Sequence, residues 1–140
     1  MAQARLIDSE GDVRASYAVM KQLRPHLSED EYVERVKLMR EEHGYHLAAL
    51  YDGETIRCVA GFRLDVCLHW GPFVYVDDLV SDDSERSRGH GKALLDWVAD
   101  YGKQRGHDVV RLDSGVQRAD AHRFYFREGF HAACFHFLRS

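Results

Sequence analysis

A chain of 140 residues, 45% hydrophobic and 30% charged, has enough material for one domain with a substantial core and needs neither disulfides nor metal to hold it. A formal net charge of −4 excludes general nucleic-acid binding, which requires a basic face, and no apolar run reaches the length of a membrane span or a secretory leader. Three cysteines without C-x-x-C spacing fit reduced thiols in a cytoplasm, and two prolines with no low-complexity stretch leave no candidate linker.

Ala4 to Asp8 is long enough for a short first strand. Val13, Tyr17, Met20 and Leu23 recur at helical spacing, so a helix is expected from about Asp12 until Arg24-Pro25-His26 breaks it. Ser28 followed by Glu31 is a capping-box pattern opening a second helix towards His43, with Gly44 as its natural stop. Tyr45 to Tyr51 and Thr55 to about Leu68 read as two strands joined by an Asp52-Gly53 turn, the second ended by Trp70-Gly71-Pro72. Phe73 to Ser81 is the central strand, and Gly89 to Arg105 a helix with Leu94, Leu95, Val98 and Tyr101 inward. A strand at Val109 to Leu112, a helix from Asp120 to Glu128 and a final strand from Phe130 to Leu138 complete the chain, with Phe124, Phe126 and Phe130 in the core. That order gives an α/β class with a mixed sheet.

The segment joining the central strand to its helix carries the clearest chemical signal. Arg86, Gly89 and Gly91 form an R-x-x-G-x-G loop that opens directly into a helix. Glycines let backbone approach a phosphate without Cβ atoms in the way, and the first amides of a helix have no intrahelical partner. It is not a P-loop, because Gly91-Lys92 is followed by Ala93. Nor is it the dinucleotide G-x-G-x-x-G, because Leu94 stands at the third glycine's place.

Downstream, Ala121 to Phe130 reads A-H-R-F-Y-F-R-E-G-F and contains A-x-x-F-Y-x-x-x-G-F. With the R-x-x-G-x-G loop before it, the chain resembles the GNAT superfamily of acyl-CoA N-acyltransferases. The resemblance implies a mostly antiparallel twisted sheet flanked by about four helices, with a V-shaped split that admits acetyl-CoA. It also implies that the backbone around Leu79, Val80 and Ser81 meets the pantetheine amides. The loop from Arg86 through Arg88, Gly89, His90, Gly91, Lys92 and Ala93 would take the pyrophosphate. One departure is Arg118, where many members carry Asn. A narrower likeness, carried by Y-H-L-A-A-L at Tyr45 to Leu50, by Asp120 to Phe130 and by His136-Phe137, is to aminoalkylphosphonate N-acetyltransferases. An anionic acceptor of that kind needs a cationic donor, and Arg24, Arg63 and Arg118 are candidates.

Transfer to an amine requires a neutral amine and a proton for the departing thiolate. The resemblance assigns the proton donor to Tyr125; burial in the core is the other reading of that side chain. It assigns the base to Asp77, whose neighbour Asp78 is the alternative, and a histidine base is also open. Strand alternation places at most one of the two aspartates on the face shared by Tyr75 and Leu79. Arg24, His26 and Asp78 are candidate acceptor contacts. No metal site is expected, since His131, Cys134 and His136 lack ligand spacing. The reading is therefore a cytoplasmic acetyl-CoA-dependent N-acetyltransferase acting on a small-molecule primary amine by direct transfer in a ternary complex, with no nucleic-acid or membrane partner and compatible with a homodimer. The competing readings are a non-catalytic acetyl-CoA-binding module and a protein N-acetyltransferase.

Overall fold

The structure, a computed structural model, describes residues 2–86 and 88–140. Its elements run β1 (Ala2–Leu6), α1 (Glu10–Leu23), α2 (Glu29–His43), β2 (Tyr45–Asp52), β3 (Thr55–Cys67), β4 (Gly71–Ser81), α3 (His90–Lys103), β5 (Val109–Leu112) and α4 (Ala119–Arg127). The first helices begin where side chains satisfy orphan amides. Ser9 Oγ accepts from the Asp12 amide at 3.1 Å, and Ser28 and Glu31 close a reciprocal capping box. Gly44 ends α2 at φ +64°, a left-handed conformation that favours glycine.

The five strands lie in the order β1-β2-β3-β4-β5, antiparallel except for the parallel β4–β5 pair. Both faces are covered. Met20, Tyr32 and Val36 of α1 and α2 pack with Leu47, Ala49 and Val59 on one face. Leu94, Leu95 and Val98 of α3 pack with Leu50, Phe62, Val74 and Val76 on the other. Strand β2, apolar through most of its length, has buried residues of both clusters because it lies between these layers.

Two irregularities in β4 make the functional geometry. Its pairing with β5 runs only from Phe73↔Val109 to Val76↔Leu112, after which β4 continues to Ser81 against β3 alone. The parting of these strands opens a cleft. At the same level the β3–β4 register slips: Gly61 faces Asp78 and Phe62 faces Val76, so Asp77 is an extra, bulged residue.

Three expectations are corrected. The segment after Phe130 is not a strand: it has no regular structure and its residues are exposed. Phe126 is 59% exposed rather than in the core, since nothing packs over its face of α4, whereas Phe124 and Phe130 do pack on the α3-side cluster. Gly71-Pro72 opens β4 instead of ending the hairpin, pairing with Cys67 and Val66.

Helix α3 sits close on the sheet because position 102 lacks a side chain. A Cβ there would fall 2.1 Å from Val74 Cγ2 and 3.1 Å from the His107 carbonyl. Alanine gains about 1 kcal/mol of helix propensity over glycine, while overpacking costs about 1–3 kcal/mol. Crowding against a buried valine should dominate, so Gly102→Ala is expected to lower the urea midpoint; an unchanged or raised midpoint would show that α3 can shift freely.

Candidate active site

The bulge reverses the strand-alternation argument: both aspartates lie on the α1–α2 face. Tyr45, Arg63 and Tyr75 form one cross-strand row and so share a face. Arg63 holds Asp77 with both arms of its guanidinium, Nε to Oδ2 at 3.0 Å and a terminal nitrogen to Oδ1 at 3.1 Å. The Tyr45 hydroxyl donates to Asp78 Oδ2 at 2.7 Å. From the end of α1, Arg24 Nε donates to Asp78 Oδ1 at 2.9 Å, and a terminal nitrogen donates to the Asp77 carbonyl at 3.0 Å.

The glycine opposite Asp78 makes this packing feasible. A Cβ on Gly61 would lie 1.7 Å from the Tyr45 hydroxyl oxygen and 2.7 Å from Asp78 Oδ2. Burial raises the Asp77 pKa above the usual carboxylate value, with Arg63 opposing the shift. The Tyr45 hydroxyl is raised well above its usual value by burial and then by Asp78.

The paired carboxylates form a boundary between two recesses. A cavity of about 430 Å³ lies where β4 and β5 part, with Asp77, Asp78 and Leu79 on one side and Asp113, Arg118 and Tyr125 on another. The second, about 270 Å³, shares Arg24, Asp77 and Asp78 but is closed by His26, Arg35 and Met39 from the α1–α2 side. Tyr125 is braced between Phe124 and Phe130, with ring centroids 5.3 and 5.6 Å away. Burial raises its hydroxyl pKa and the Arg118 charge lowers it, so at neutral pH it holds its proton. At the exposed rim of the site, the Tyr75 hydroxyl donates to Asp113 at 2.5 Å.

Among the described residues, α3 alone of the α-helices has neither a side-chain cap nor an acidic residue in its first turn. Its first intrahelical bond is from Ala93 to Gly89, so the preceding amides are left facing the loop. Gly89 sits at φ +81° as the cap. This end of the helix fits an anionic group supplied from outside, and Gly91, next to Phe124 and Ser81, puts it beside the cleft.

Side chains of the loop are committed elsewhere. Lys92 reaches Asp96 at 3.0 Å and Glu128 at 3.1 Å, and Arg86 pairs with Asp83 at 2.6 Å. Exposed Arg88 and partly exposed His90 lie between them, and Leu79, Val80 and Ser81 line the end of β4 that has left β5. Arg63, a candidate acceptor ligand from sequence, is instead the partner of Asp77. Arg118 stands at the N-cap position of α4, without a side-chain capping bond, at the cavity rim.

Sequence reasoning missed Tyr45, Gly61, Asp113 and Arg35. For Gly61 there was a signal: an isolated glycine in an apolar strand marks a bulge or a close approach. Among the described residues no group of three His, Cys, Asp or Glu is placed to hold a metal, and no helix is long and apolar enough to cross a membrane.

Residues 13–130 match the model of the acetyltransferase (GNAT) family. The chain belongs to the GNAT acetyltransferase family. The uncharacterized N-acetyltransferase YhdJ of Bacillus subtilis (strain 168) is 37% identical over 125 residues, covering 89% of this chain and 88% of that protein. The aminoalkylphosphonate N-acetyltransferase of Salmonella typhimurium (strain LT2) is 29% identical over 97 residues, 69% of this chain and 62% of that protein. In fold, the aminoglycoside N-acetyltransferase AAC(6')-Iy in complex with CoA superposes with a TM-score of 0.87 at 16% identity, covering 100% of this chain and 95% of that one. This GNAT chain is thus an acetyltransferase with the expected mixed sheet and four helices.

The Tyr45–Asp78 bond supports the bulge from β2. A hydrogen bond to a charged group contributes about 1.5–3 kcal/mol. Tyr45→Phe keeps the ring and removes the donor, so it should lose stability of that order in urea unfolding at neutral pH; wild-type stability would mean Arg24 alone holds Asp78.

Proposed function

We propose that this protein moves an acetyl group from acetyl-CoA to the primary amine of a small acceptor by direct transfer, with both substrates bound in the cleft. The observation that carries the reading is the meeting of a raised carboxylate, Asp77, and a protonated Tyr125 around one cavity. Acetyl-CoA supplies the activated acyl carbon and the thiolate leaving group. The uncapped amides at the start of α3 offer its pyrophosphate a binding place, and the unpaired edge of β4 at Leu79 and Ser81 offers its pantetheine arm hydrogen-bonding groups.

The residues then divide the proton work. Asp77 takes the proton that the acceptor ammonium must lose before its nitrogen bonds to the acyl carbon. Arg63 positions Asp77 and leaves each carboxylate oxygen a lone pair for that proton. Tyr125 gives its proton to sulfur as the carbon–sulfur bond breaks. A covalent cysteine route is disfavoured: burial pushes the Cys58 thiol up to about 11, Cys67 ends β3 and lines neither recess, and Cys134 lies in the exposed tail.

Charge in the acceptor recess supports an acceptor that carries an anion beside its amine. Asp78 is engaged by Arg24 and Asp77 by Arg63, so the walls leave Arg35, His26 and the outer side of Arg24 for a negative group. An aminoalkylphosphonate, the acceptor class named for the Salmonella relative, meets that description better than a polycation does.

Release of coenzyme A thiol should be measured across aminoalkylphosphonates, amino acids, polyamines, aminoglycosides and short peptides. Turnover is expected with the zwitterionic amines, and Tyr125→Phe should lower kcat about 10²–10⁴-fold with acetyl-CoA binding retained. Silence across the panel despite acetyl-CoA binding would favour a non-catalytic module, and turnover of peptides alone would make the chain a protein acetyltransferase.

A pH profile tests the base. Arg63 lowers the Asp77 pKa against the larger effect of burial, so Arg63→Gln should raise it further. The acid limb of kcat/KM is then expected to move to higher pH, and an unmoved limb would remove Asp77 as the proton acceptor.

A further inference from the structure

The recess on the α1–α2 side has an apolar floor. Buried Met20, Tyr32 and Val36 line it, with partly buried Leu27 and Met39 beside them. Both tyrosine hydroxyls at this wall are already engaged. The Ser16 proton goes to the Val13 carbonyl at 2.6 Å, so the Tyr32 hydroxyl donates to Ser16 Oγ at 2.7 Å. The Tyr45 hydroxyl donates to Asp78 at 2.7 Å. Each therefore offers the recess its ring. Among the described residues no Ser, Thr, Asn or Gln lines this recess, whereas Gln22, Ser114 and Gln117 line the larger cavity.

Charge is confined to the edges of that floor. Asp77 and Asp78 stand where the recess meets the larger cavity, and exposed His26 and Arg35 belong to its α1–α2 side. Arg24, although it holds Asp78, keeps 40% of its side chain exposed. Glu31 feels Arg35 and His26, but its carboxylate is held by the Ser28 amide at 3.0 Å and does not line the recess. The volume of about 270 Å³ sets the size of an occupant. Benzene fits an apolar cavity of about 150 Å³, so a body of roughly four to seven carbons fits here together with an acid group. Two of the walls are methionines, whose unbranched, polarizable side chains adapt to differing apolar shapes.

We propose that the acceptor is a zwitterionic amine bearing an apolar side chain, branched alkyl or aryl. Its amine lies at Asp77, its side chain on Met20, Leu27, Val36 and Met39, and its acid group against Arg24, His26 and Arg35. The inference rests on the acetyl-transfer reading and narrows its substrate. An acceptor without a side chain leaves the floor in water and gains nothing from it. A polyhydroxylated acceptor would set its hydroxyls against carbon with no hydrogen-bond partner, which is costly. Carboxylate and phosphonate present the same negative oxygens to the three cations, so either acid group satisfies the recess.

The test is kcat/KM along two matched series: alanine, valine, leucine and phenylalanine, and the 1-aminoalkylphosphonates with the same side chains. Each added carbon that reaches the floor should raise kcat/KM about fourfold. The leucine side chain should then exceed that of alanine by roughly 10–100-fold, and the faster series names the acid group. A flat or falling trend within a series that turns over overturns the inference and leaves acetyl transfer standing. Met39→Gln keeps the length of the side chain and removes the apolar wall, so the leucine-to-alanine ratio should fall about fourfold. An undiminished ratio in the folded variant also overturns the inference, and the wild-type series decides whether or not that variant folds. Calorimetric titration of the same amines into the chain with CoA, which carries no acyl group, separates the two readings. Leucine binding more tightly than alanine without turnover upholds the recess assignment and removes acetyl transfer; binding of none of the amines overturns the inference.

Discussion

One additional residue in β4 organises the site. Without the bulge at Asp77, strand alternation would send one of the two carboxylates towards α3 and the apolar cluster around Phe62 and Val76. With it, both turn to the same side and meet the groups that make their burial tolerable: Arg63, Tyr45 and Arg24. Each partner comes from a different element, so α1, β2 and β3 all converge on two consecutive residues. Gly61 leaves the room in which they converge.

The parting of β4 from β5 then supplies the space. Had β5 continued alongside β4 past Leu112, the backbone of Leu79 and Ser81 would be spent on a ladder. Instead that edge faces the cleft, and α3, with neither a side-chain cap nor a first-turn acid, begins beside it. Tyr125 enters the same cavity from α4, wedged by two aromatic rings. Electrostatics and sheet geometry are therefore one arrangement: the irregular backbone is found where polar groups must be gathered inside an apolar sheet.

The sequence was most informative where structure is local. Ser28 with Glu31, Gly44, and Gly89 at the start of α3 each act within a few residues, and each stands where local physics puts it. It was least informative where the decision belonged to a distant neighbour. The pairing of Arg63 with Asp77 depends on strand register, and a single slip in that register reversed the face of an aspartate. Phe126 was expected in the core with Phe124, but two residues along α4 it stands on the opposite side of the helix from Phe124 and faces away from the sheet. The Phe130–Leu138 segment has the alternation of a strand, and alternation cannot name the edge it would join. The cavity as a whole was legible only as a set of motifs; its division into two recesses followed from Arg24 crossing from α1 to β4.

That crossing makes Arg24 a common wall. Its guanidinium holds the Asp78 carboxylate and the Asp77 carbonyl at once, while its outer side faces the α1–α2 recess. A negative group that draws the guanidinium outward must loosen its hold on the bulge, and a ligand that stiffens the bulge must fix the guanidinium that the negative group meets. By thermodynamic linkage the two effects are equal in free energy. Were Arg24 to move in this way, occupancy of one recess would be felt in the other through that one side chain.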